Sequence, residues 1–194
     1  LVEGYVWRYL FRLSTLDLSN RSTSTLIPVI ADANTTAAAV SGSIDYIKIV
    51  AGGSDYDTTS HIGFINGVIS NTIFQIENAA SAVDGIYETS ALYISEGPGA
   101  GQIALITDYF SNSSGRFGEL DAVLEDITIS SKYDIAPSVS FTGDGSGAVA
   151  RVVIEDGQVS DIDIINKGSG YTFATATIVA KAGFGSGAQL DPRV

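Results

Sequence analysis

The chain has 194 residues, of which 45% are hydrophobic and 16% charged, and its 22 acidic against 10 basic side chains give a formal charge of −12. That composition suits one large folded domain or two small ones and excludes a disordered polyanion. The charge disfavours nucleic-acid backbones and anionic membranes, no apolar run approaches the ~20 residues that span a bilayer, and the absence of cysteine excludes a disulfide framework and a thiolate metal site.

In chain order, the opening LVEGYVWRYLF lacks a basic n-region and a small-residue cleavage site, so it does not read as a signal peptide. It also lacks a methionine, and residues 1–41 are expected to belong to a larger domain that begins upstream of Leu1. Read as a strand, this stretch puts Tyr5, Trp7, Tyr9 and Phe11 on one face and Val6, Arg8 and Leu10 on the other. Interfaces are rich in aromatics and arginine, which makes Tyr5, Trp7, Tyr9 and Phe11 the candidate interface. A sugar-binding platform and a plain core strand are the other readings. Residues 31–40, ADANTTAAAV, are the best helix candidate, weakened by two threonines and the lack of an apolar stripe.

Strand patterns dominate from there on. Residues 45–50, 102–110 and 125–130 read as strands. Residues 61–77 read as a hairpin turning at Asn66-Gly67, and 150–165 as a hairpin turning at Asp156-Gly157, since both central positions of such a turn take positive φ. The expectation is an all-β fold: an antiparallel sandwich-like arrangement or repeated β modules, with tight glycine-rich turns and at most one or two short helices. The expected modules are 1–41, 42–132 and a glycine-rich repeat region over 133–194.

Internal repeats decide how the glycines are read. Tyr87, Tyr133 and Tyr171 are each followed, ten, ten and twelve residues later, by the triplets Gly97/Gly99/Gly101, Gly143/Gly145/Gly147 and Gly183/Gly185/Gly187. IKIVAGGSDY (47–56) also aligns without gaps on IDIINKGSGY (162–171). As strings, Gly143/Gly145/Ala148 and Gly183/Gly185/Ala188 fit the dinucleotide fingerprint. That fingerprint needs a helix whose first amides face the pyrophosphate, and strand-like AVARVVIEDG follows Gly147 while QIALITDYF follows Gly101. The triplets are therefore expected to be turns, with no cofactor.

Chemistry-bearing groups are sparse. His61 is the single histidine, with Ser54, Ser60, Asp55 and Asp57 near it in sequence, which is not triad geometry. Glu119/Asp121, Glu125/Asp126 and Asp161/Asp163 are the carboxylate pairs a glycosidase would need; the last two are expected on one solvent-facing side of a strand. The oxygen-rich turns 52–57 and 143–147 loosely echo a calcium repeat, so Ca2+ is the minor alternative to no metal. Sequons begin at Asn20, Asn34 and Asn112.

Residues 3–29, EGYVWRYLFRLSTLDLSNRSTSTLIPV, resemble a segment of the T4-like phage baseplate wedge subunits that sit as dimers in the wedge. Gly4, Tyr5, Val6, Trp7, Tyr9, Leu10 and Phe11 carry the match, with Ile27, Pro28 and Val29 a looser later element; together they span about a seventh of the chain. GPGAGQIALITDYF, YDIAPSVSFTGDGSGAVA and INKGSGYT look like a β repeat shared by tail, fibre and baseplate proteins of contractile phages. The long glycine-rich part departs from the wedge pattern. The resemblance implies a non-enzymatic virion component of the tail baseplate, assembled in the bacterial cytoplasm. Its implied partners are other wedge proteins and a second copy of itself, with no nucleic acid and no membrane. A carbohydrate-binding adhesin or tail-fibre module is the alternative, and a glycan-degrading tailspike a third reading.

Overall fold

The computed structural model describes residues 42–194. The expected interface Tyr5, Trp7, Tyr9 and Phe11, the stretch resembling wedge subunits and the expected helix over 31–40 lie outside the described residues. The described residues cluster as one compact unit.

The described residues form eleven strands and one 3-10 turn (Asp57–Thr59). The strands are β1 Tyr46–Ser54, β2 His61–Val68, β3 Ile73–Ile76, β4 Ser90–Glu96, β5 Ile103–Asn112, β6 Gly115–Leu120, β7 Lys132–Gly143, β8 Ser146–Glu155, β9 Gln158–Ser169, β10 Ala174–Val179 and β11 Ser186–Arg193. Every pairing is antiparallel. The all-β expectation holds, and among the described residues no helix is long and apolar enough to cross a membrane.

Six strands close on themselves in the order β7-β2-β3-β6-β5-β4 and back to β7. Closure removes sheet edges and lets alternate residues of each strand fill the interior. Ile65, Phe74, Ile76, Leu92, Ile94, Ile106 and Ile135 are almost fully buried there, with Tyr87, Tyr109 and Tyr133. β7 runs on past this barrel and pairs with β10 through Ser138–Gly143. The β8–β9 hairpin and the β1–β11 ribbon enclose a second, smaller core with it, built on Tyr56, Ala136, Val152, Val159 and Ile162. The boundary expected at 132/133 falls at the start of β7. That strand pairs with β2 and β4 from the first stretch and β10 from the second, and β1 pairs with β11.

Two local expectations are corrected. Asn66-Gly67 is not a turn: β2 runs through it with a bulge between Ile65 and Gly67, and the chain reverses at 69–72. The Ser70 hydroxyl accepts the amides of Thr72 (3.3 Å) and Ile73 (3.0 Å), which holds that reversal. Running on to Val68 sets Ile65 opposite Ile76, both inside the barrel, and burial of that pair outweighs the dipeptide's turn preference. Residues 125–130 are not a strand either. Asp126 has φ +58, which breaks an extended run, and the loop instead crosses one end of the barrel and drops Leu124 and Ile127 into its core. The Asp156-Gly157 turn is as expected, with φ +50 and +73 and Glu155 opposite Gln158.

Candidate functional site

Each of the three glycine triplets links two strands: β4 to β5, β7 to β8, and β10 to β11. A strand and not a helix follows each of them, so the strand–turn–helix context of the dinucleotide fingerprint is missing. The tyrosine that covers a triplet is not the one that precedes it. Tyr171 covers Gly145, and Tyr56 covers Gly185 from the other end of the described chain. In the barrel, Ile127 takes the corresponding place over Gly99.

The two tyrosine seats are equivalent residue by residue. Ser146↔Ser169 in β8–β9 matches Ser186↔Ser54 in β11–β1, and Ala148↔Lys167 matches Ala188↔Gly52. Both ladders then bulge, at Ile165 and at Val50, and resume as Ala150↔Ile164 and Leu190↔Ile49. Beyond the bulge the charges are exchanged: Arg151↔Asp163 corresponds to Asp191↔Lys48. The Tyr56 hydroxyl accepts the Ala188 amide at 3.4 Å.

His61 lines a cleft of about 380 Å³ together with Asp57, Ser60, Ile62, Ile154 and Asp156. Its Nδ1 lies 3.0 Å from the Tyr133 hydroxyl. Burial lowers the pKa of His61, and the Glu77 carboxylate partly opposes this. Behind it Tyr87 and Tyr109 meet edge to face at 4.8 Å. Burial raises both, Tyr109 to about 12, and raises Tyr133 as well. Tyr87 accepts the Ser81 amide at 3.1 Å, and Tyr109 donates to the Ser81 carbonyl. This polar network plugs the barrel, and nothing local in the sequence pairs His61 with Tyr133.

Asp57 and Ser60 share the cleft with His61, but the Ser60 hydroxyl donates to the Tyr56 carbonyl and that of Ser54 to Asp55. The remaining residues singled out by sequence are not brought together. Asp163 binds Arg151 at 2.7 Å, while Asp161 accepts the Ile162 amide. Asp121 accepts the Leu105 amide, and the backbone of Glu125 is clamped by Gln102. Within the oxygen-rich turn 143–147, Asp144 accepts from Thr172 N (2.9 Å), Thr172 Oγ1 (2.6 Å) and Phe173 N (3.3 Å). These bonds hold its carboxyl down at about 2. No group of three or more metal-ligating side chains gathers among the described residues. Asn112 of the third sequon accepts the Ser114 amide in the β5–β6 turn.

One surface was missed from sequence. Ile62, Phe64, Val68 and Ile69 are 62%, 49%, 46% and 61% exposed and run along the outer face of β2 and its turn. Asn66, also exposed, stands between Phe64 and Val68, and the inward neighbours are Gly63 and Ile65, so the strand is largely apolar on both faces, a pattern that reads from sequence as a buried strand. Four such side chains on one strand and its turn are more than the scattered apolar residue normal on a surface. Comparison with known protein families, curated proteins and solved structures finds no match for this chain.

Proposed function

We propose that this chain is a structural module of a bacteriophage tail baseplate that works through protein–protein interfaces. The observation that carries this reading is the apolar row Ile62, Phe64, Val68 and Ile69 on the outside of a filled, closed barrel. Such a row is covered in an assembly at little cost, because the strand beneath it is already rigid. The resemblance of residues 3–29 to wedge subunits supplies the kind of assembly. The glycine-turn modules suit it too: they make stiff β pieces whose polar turn groups are spent on internal hydrogen bonds. On this reading the protein is not an enzyme, its partners are other wedge proteins and a second copy, and it resides in the virion.

The test is co-expression with the products of the neighbouring open reading frames, comparing the native chain with Phe64→Ser and Ile62→Ser. Co-purification with a baseplate protein that falls at least tenfold in the variants supports the reading. Binding on a glycan array, with no protein partner among those neighbours, replaces it with the adhesin reading.

A further inference from the structure

Two ribbons of the same register differ in how they are joined. β8 and β9 are linked by the two-residue turn Asp156-Gly157. β11 and β1 make the matching pairs, from Ser54↔Ser186 to Tyr46↔Arg193, but lie at opposite ends of the described chain. A hairpin closed by two residues cannot pass either strand to another molecule. A strand delivered from afar can, since the same seat on another copy offers the same contacts.

We propose that β1 and Tyr56 form a strand-acceptor site, and that its occupant in trans is the glycine-triplet strand, residues 185–193, of a second copy of this chain. The seat selects this strand by three features. Tyr56 covers Gly185 so closely that any side chain there collides with the ring. The Tyr56 hydroxyl accepts the Ala188 amide at 3.4 Å. Lys48 stands opposite Asp191 in the ladder, so this register sets opposite charges side by side, with the Asp191 carboxylate itself bonded to Arg193. The chain before it is held at Lys181, which bonds Gly85 and Glu88. Residues 182–184, with Gly183 at φ +90, supply the hinge between Lys181 and the exchanged strand, so Phe184 leaves the barrel core with that strand. Exchange preserves every ribbon contact, so chain concentration and hinge geometry set the balance between closed monomer and exchanged pair.

The chain has no cysteine, so a disulfide across Lys48↔Asp191 reports the pairing without background. Full-length Lys48→Cys and size-tagged Asp191→Cys chains are refolded together from urea at high concentration and oxidised. A covalent heterodimer is expected, and the double variant at low concentration closes within one chain. A tenfold excess of a peptide of residues 183–194 is expected to cut the heterodimer several-fold, while the same peptide with Gly185→Ala leaves it unchanged. A mixture that stays monomeric while the double variant closes overturns the proposal. So does a heterodimer on which the two peptides act alike, or a double variant that does not close.

Discussion

The ring of Tyr56 rests on the bare Cα of Gly185, and a Cβ at that position would overlap it. Gly185 also has φ +74. Gly185→Ala therefore meets two costs, about 1–2 kcal/mol for the left-handed backbone and about 1–3 kcal/mol for the overlap. Gly145 meets Tyr171 and the Ser169 carbonyl but is not at positive φ, so Gly145→Ala separates overlap from backbone strain. Gly101, at φ +92 with nothing within 4 Å of an added Cβ, isolates the strain. Urea midpoints are expected to fall most for Gly185→Ala and less for each of the other two. Equal shifts in all three would mean that the tyrosines do not press on their glycines.

His61 is the chain's single histidine, which makes its titration separable. Burial lowers its pKa below 6.5 in the folded state. The unfolded chain then takes up the proton first, so the contribution is present above pH 6.5 and is lost as pH falls through the folded value. Stability measured from pH 7 to 5 is expected to decline, and His61→Gln to flatten that decline. Tyr133→Phe removes the hydroxyl that meets Nδ1 and is expected to cost about 1–2 kcal/mol at pH 7. A native profile that is flat through this window, or unchanged in His61→Gln, would show that the ring is solvated.

Arg151 ties the β8–β9 hairpin to the barrel wall. It lies 2.7 Å from Asp163, 3.6 Å from Asp134 and 4.6 Å from the centre of the Tyr93 ring. Burial raises the pKa of Asp134, and Arg151 and then Lys132 oppose the rise. A raised carboxyl favours the fold below its unfolded value of 3.8 and loses that contribution as pH climbs through the folded value. Arg151→Met keeps the apolar stem and removes the opposing charge. It is expected to cost about 2 kcal/mol at neutral pH and less in acid, where Asp134 is protonated. Adding Asp134→Asn should restore much of the loss at pH 7. A loss independent of pH would assign Arg151 to packing alone.

What could be read from the sequence divides along the range of the interaction. Asp156-Gly157 was legible because the turn's angles depend on its own two residues. Asn66-Gly67 is the same kind of dipeptide and misleads, because β2 is governed by where Ile65 lands inside the barrel. The tyrosine–glycine repeats were visible as spacings, yet Tyr56 meets Gly185 and Tyr171 meets Gly145, contacts between units that no spacing encodes. Barrel closure through β4 and β7 is equally non-local. Of the candidate sites, His61 was noticed and its partner was not, since Tyr133 comes from another strand. The apolar row on β2 stayed hidden because exposure is a property of the closed barrel.

One side chain clamps the start of the loop that replaces the expected strand at 125–130. Gln102 donates to the carbonyls of Gly99 (3.1 Å) and Glu125 (2.8 Å), and its Oε1 accepts the Glu125 amide (2.8 Å). It thereby joins the first glycine triplet to the segment that carries Leu124 and Ile127 into the barrel core. A strand at 125–130 would need its backbone groups for a ladder, and here Gln102 takes up both of those of Glu125. Gln102→Ala leaves these groups to water at the rim, so the expected loss is about 1–2 kcal/mol, well short of unfolding. The sharper signature is local: amide exchange should accelerate at Glu125 and Ile127 while Leu92 and Ile135 stay protected. Uniform acceleration across the barrel would mean that the clamp holds the whole core, and no acceleration at all that Leu124 and Ile127 hold the loop without it.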